Sequence, residues 1–119
     1  MDSDTTIEDL KIRARDFCRE RDWEQYHNPK DLAIGISSEA GELLEIFRFQ
    51  NNEQCQTIIN DPQKGGDVRD ELADVLYFTL RFAEVCGIDL SEAFESKLRQ
   101  NREKYPVEKF KGVNRKYNE

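Results

Sequence analysis

The sequence predicts an all-α protein, a four-helix-bundle-like subunit. Apolar residues recur at helical spacing in four segments, each segment opens on a residue type that caps helices, and no stretch alternates apolar and polar residues as a half-buried strand would. The 119 residues are enough for one domain, spanning 1–119 with a basic tail from about residue 106. A small helical chain covers its core more readily with a second copy, so oligomerisation is expected.

In chain order, Thr5 or Thr6 caps a first helix, with Glu8 and Asp9 in its first turn where the helix dipole favours acids. Ile7, Leu10, Ala14, Phe17 and Cys18 form its apolar stripe to about Glu20. The segment RDWEQYH, Arg21 to His27, interrupts that pattern with Trp23, Tyr26 and the only histidine. This aromatic cluster is either a hydrophobic staple at a helix entry or a stacking surface for a ligand. His27, beside a cap, reads as a hydrogen-bonding structural residue.

Asn28-Pro29 supplies the cap and first residue of a second helix that runs to about Gln50. Gly41 inside it lowers helix propensity, which implies a close approach to the backbone there. Asn51 to Gly66 is expected as a long loop, a mobile lid or a short extra helical turn, and Asp67 as the cap of a third helix reaching Cys86. That third helix carries Leu72, Val75, Leu76, Phe78, Leu80 and Phe82 around most of its circumference, so it must be covered on several sides. Gly87 ends it, and Asp89 or Ser91 caps a fourth helix to about Glu103. Lys97, Asn101 and Lys104 recur there at i, i+4, i+7 and form one polar row. Tyr105-Pro106 breaks the helix, and VEKFKGVNRKYNE is expected as an extended basic tail.

A net charge of -7, with 36% of residues charged, argues against a nucleic acid polymer or an anionic membrane as partner, but leaves room for a nucleotide carried with a metal. The charge is uneven. From Lys97 onward eight basic residues stand against three acidic ones, so the body of the chain is strongly acidic. Three cysteines at unrelated spacings indicate neither a disulfide framework nor a zinc site, and the acidic N-terminus is unlike a signal peptide. A cytoplasmic protein is expected.

The acids carry the chemistry. With successive residues about 100° apart, Glu39 falls inside the stripe of Leu32, Leu43 and Ile46, and Glu42 falls on its edge. On the third helix Glu71 falls between Phe78 and Phe82, with Asp74 one turn further on. An ionised carboxylate taken out of water needs a cation or a donor. Each pair alone is more simply a solvated helix face, but acids at positions suited to leucine, on two apolar helices, point to one shared cavity. Four hard oxygen donors there suit Mg²⁺, with Mn²⁺ as an alternative.

RDWEQYHNPKDLA, EAGELLEIF, DELADVLYF and KLRQNREKYP, in that order over about residues 7 to 112, resemble the all-α nucleoside triphosphate pyrophosphohydrolases of the MazG-like superfamily, and within it the dCTP pyrophosphatase branch. The resemblance implies a homodimer formed through the core helices, or a homotetramer, that cleaves a nucleoside triphosphate between its α and β phosphates. It implies metal binding by Glu39, Glu42, Glu71 and Asp74, with Glu39 and Glu42 as candidates to orient a water and take its proton. Lys97, Asn101, Lys104 and Tyr105 match positions that bind phosphates or sugar, and Trp23 matches an aromatic that packs on the base. His27, Phe49 and Phe78 complete the candidate base site. The resemblance makes dCTP or a modified pyrimidine analogue the expected substrate, while Phe49, where relatives tend to carry tryptophan, and Phe78, where they tend to carry tyrosine, change how the base is held. The alternatives are a pyrophosphohydrolase of another nucleotide, and a non-catalytic helical oligomer that binds metal for assembly or sensing.

Overall fold

A computed structural model describes residues 1–119, all of them in helices, turns and connecting segments. Six α-helices form: α1 (Ile7–Glu20), α2 (Pro29–Phe47), α3 (Asn52–Asn60), α4 (Pro62–Val85), α5 (Leu90–Lys104) and the short α6 (Val107–Phe110). They divide into two compact units, Met1–Gly87 and Ile88–Glu119. No helix is long and apolar enough to cross a membrane.

Capping residues set the boundaries. Thr6 and Asp9 form a reciprocal capping box at the start of α1, and Asn28 accepts the amide of Asp31 at the start of α2, where Pro29 is the first residue. Asp89 caps α5 by accepting from Glu92 N. Gly87 takes a left-handed φ of 65° just past α4, a conformation glycine adopts without steric cost.

Three expectations about where elements begin and end need correction. The stretch expected as a loop holds a nine-residue helix, α3, because Asn51 and Gln54 build a second reciprocal capping box. The helix expected from Asp67 begins at Pro62, since the Asp61 carboxylate accepts from both Gln63 N and Lys64 N. Its glycines lie inside α4: a Cβ on Gly65 would stand 2.5 Å from the Ile59 carbonyl oxygen, so the α3–α4 corner requires a bare residue. The C-terminal segment is not an extended tail. It makes α6 and curls so that the Tyr105 ring meets Phe110 and Tyr117 edge to face.

In the first unit the principal packing is α2 on α4, with α1 and α3 also against α4. Gly35 lies under the Phe78 ring while Glu39 lies near Glu71, so α2 and α4 run antiparallel. Leu32, Leu80, Ala83, Ala14 and Cys18 make the core where α1 ends, α2 begins and α4 nears its end. The close approach expected at Gly41 occurs at Gly35 instead. A Cβ on Gly41 would meet nothing within 4 Å.

Candidate active site

About two turns beyond that core, α2 and α4 turn acids toward each other. One carboxylate oxygen from each of Glu39, Glu42 and Glu71 lies within 4.8 Å of the others. Glu39 and Glu71 are half-buried and Glu42 is exposed. The Oε2 atoms of Glu39 and Glu71 are buried without any hydrogen-bond partner. In native proteins nearly all buried polar atoms are paired, so two orphaned oxygens facing one cluster mark a place for a ligand.

The electrostatics agree. Hydrogen bonding to Glu42, burial and the adjacent Glu39 push the Glu71 carboxyl up to about 7. Burial, and then the proximity of Glu42, raise Glu39 as well. Like charges gathered in poorly solvated space favour holding a proton or, equally, a cation. The three carboxylates can therefore hold a divalent metal ion, and their hard, anionic oxygens fit one. Asp74 stands outside the trio, but its charge reaches Glu39.

Glu39 and Asp74 also line a cleft of about 660 Å³ that opens between α1, α2 and α4. Arg13, Phe17, Trp23 and Phe78 line it too, so acids and aromatic rings share one cavity. Phe17 packs edge to face on Trp23 and on Tyr77, and Tyr77 packs likewise on Phe78, which gives the apolar wall a fixed shape.

Residues 34–119 match the model of the MazG-like family. The chain belongs to the MazG-like family. It is 35% identical over 115 residues to dCTP pyrophosphatase 1 of Bos taurus, covering 97% of this chain and 68% of that protein. The same protein of Mus musculus is 36% identical over 112 residues, covering 94% of this chain and 66% of its own length. The structure of a pyrophosphatase from Archaeoglobus fulgidus superimposes with a TM-score of 0.77 at 38% identity, covering 83% of this chain and 91% of that one. These similarities place the chain in the dCTP pyrophosphatase branch and match its helical-bundle fold to a solved relative.

Of the acids singled out from the sequence of this MazG-like chain, three converge and Asp74 flanks them. Of the base-site candidates, Trp23 and Phe78 line the cleft and two residues do not. His27 faces the interior, where its Nδ1 accepts from Arg81 Nε at 3.1 Å. Phe49 is 88% exposed at a left-handed φ of 65°, under the Arg48 guanidinium. Lys97, Asn101, Lys104 and Tyr105 belong to the second unit, where Lys104 lies over the Tyr117 ring and Tyr105 joins the aromatic trio. Arg13, Phe17 and Tyr77 in the cleft escaped the sequence reading because each fits an ordinary helix surface or stripe. Arg81 did leave a signal, a lone cation inside the apolar run LYFTLRFAEV.

Proposed function

We propose that this MazG-like protein hydrolyses a nucleoside triphosphate, dCTP or a modified pyrimidine deoxynucleotide, to the monophosphate and pyrophosphate, as sanitation of the nucleotide pool. The observation that carries the reading is Glu39. It belongs both to an acid cluster with orphaned buried oxygens and to a cleft lined by Trp23 and Phe78. A triphosphate with its metal fits the acidic end, and a flat base fits the aromatic end.

Mg²⁺, or Mn²⁺ in its place, would be held by Glu39, Glu42 and Glu71 with Asp74 at the margin. Bound there, such an ion would neutralise the phosphates, polarise the α-phosphorus and lower the pKa of the attacking water. Glu42, the exposed member of the trio, is suited to orient the attacking water and accept its proton. Trp23 supplies the stacking face for the base, and Phe78 closes the apolar wall without offering a hydroxyl, so base choice rests on shape and stacking there. The printed names of the relatives, dCTP pyrophosphatase and pyrophosphatase, support this reaction class. The reading includes a homodimer or homotetramer built on the exposed apolar side chains of α2 and α4.

Pyrophosphate release from a panel of canonical and modified dNTPs and NTPs with Mg²⁺ tests the reading. Release from one pyrimidine class is expected, with kcat reduced roughly 10²- to 10⁴-fold in Glu42→Gln, the range for a lost general base. Metal binding and assembly without turnover on any nucleotide would point instead to the non-catalytic oligomer.

A further inference from the structure

Arg81 is 2% exposed on α4, among Leu80, Phe82 and Ala83, and the acid cluster makes no use of it. A buried guanidinium persists only where its donors are met. Here Nε donates to His27 Nδ1 at 3.1 Å, Nη1 faces Glu84 at 3.3 Å, and Nη2 lies 3.9 Å from Glu24. Glu84 is shared with Arg15 of α1 at 3.5 Å. Two of the groups that Arg81 reaches, Glu24 and His27, belong to the strap between α1 and α2.

That strap carries Trp23. Its amide donates to the Cys18 carbonyl at 3.0 Å, and its ring abuts Phe17, which turns the indole into the cleft. Asp22, the residue before it, sits at a left-handed φ of 55°, which aspartate adopts as a single turn residue, and its carbonyl and carboxylate both accept from Gln25 Nε2. The Cys18 thiol, near the end of α1, lies 2.7 Å from the Tyr77 hydroxyl of α4 and 3.7 Å from His27 Nδ1, so the end of the strap also meets α1 where α1 meets α4.

We infer that Arg81 is a positioning residue: from inside the first unit it holds the strap through His27 and Glu24 and so presents Trp23 to the cleft. This rests on the reading that the cleft receives the base of a nucleotide. Trp23 is otherwise 43% exposed on a short strap and would be free to swing away, losing its stacking geometry. The bidentate, planar reach of arginine is what the arrangement uses, since an ammonium cannot meet His27, Glu84 and Glu24 together.

Trp23 is the only tryptophan, so its fluorescence reads the strap directly. Acrylamide quenching and emission maximum are measured for the parent, Arg81→Lys, His27→Leu and His27→Gln, with folding checked by circular dichroism. In Arg81→Lys and His27→Leu the indole is expected to lose its protection and its emission to shift to the red. In His27→Gln an amide oxygen again accepts from Arg81, and parental protection returns. KM for the substrate should rise about tenfold in Arg81→Lys, within the range for a lost base–aromatic stack, with a smaller change in kcat. Unchanged quenching in folded Arg81→Lys and His27→Leu overturns the assignment. Should Arg81→Lys not fold, His27→Leu decides from the strap side. A parent without hydrolysis on any nucleotide would count against the proposed function alone, because the fluorescence still reports whether Arg81 sets Trp23.

Discussion

Glu42 and Glu39 crowd the Glu71 carboxyl, and one of its oxygens is buried unpaired. Removing that charge relieves the metal-free protein. Glu71→Gln is therefore expected to melt at a higher temperature than the parent in EDTA at pH 8, to lose the rise in Tm that Mg²⁺ gives the parent, and to lose activity. Differential scanning calorimetry with and without Mg²⁺ checks all but the last, and a lower Tm in EDTA would sink the argument. His27 gives a pH dependence of the opposite kind. Burial, and then the nearby Arg81 charge, lower its pKa from 6.5, so the folded protein binds that proton less readily than the unfolded chain does. The stability it contributes is present above about pH 6.5 and is lost as the pH falls through the folded value. Relative to His27→Gln, whose amide does not titrate, the parent should lose Tm from pH 8 to pH 5, and a difference that stays flat would refute the assignment. At this scale the acids were legible because Glu39 and Glu71 occupy positions on helical wheels suited to leucine. Phe49 was not, since its exposure follows from a left-handed φ that local sequence leaves open.

Between elements, the approach of α2 to α4 turns on one glycine. A Cβ on Gly35 would lie 2.6 Å from Phe78 Cδ1 and 2.7 Å from Cε1, so the ring must move or the helices part. Gly35→Ala is expected to destabilise by about 1–3 kcal/mol, the usual cost of overpacking, in urea melts. Phe78→Leu in the same chain should recover part of that loss, whereas Gly41→Ala, into open space, should cost nothing at this contact. An undisturbed Gly35→Ala would show that the two helices are not held this closely. Helix existence was legible from apolar period and caps, and the positions of α1, α2 and α5 followed. The helix α3 was missed because a polar stretch ending in Pro62 and two glycines looks like a loop, while its signal is the local Asn51–Gln54 box. The start of α4 was missed for a related reason: the Gly65 that reads as a breaker is required by the tight α3–α4 corner, a tertiary demand that no local pattern carries.

For the molecule as a whole, the exposed apolar surface is the unresolved term in its stability. Ile34 and Leu44 on α2 are 57% and 66% exposed, and Leu72 and Leu76 on α4 are 57% and 43% exposed. Ile34, Ser37, Gly41 and Leu44 recur at i, i+3, i+7 and i+10, which aligns two large apolar residues and two small ones along one face of α2, all of them exposed. Small residues between larger ones allow another helix to approach closely, and side chains of this kind left in water favour association. A second copy of the chain, the partner proposed above, would cover them. Sedimentation equilibrium is expected to give a dimer or tetramer, with a Tm that rises with protein concentration. Leu44→Glu places a charge at the C-terminal end of that face, twelve residues along α2 from buried Leu32. It should yield a smaller species whose Tm no longer depends on concentration. A parent that sediments as a monomer at all concentrations would remove the proposal. An oligomer untouched by Leu44→Glu would move the interface off this face of α2.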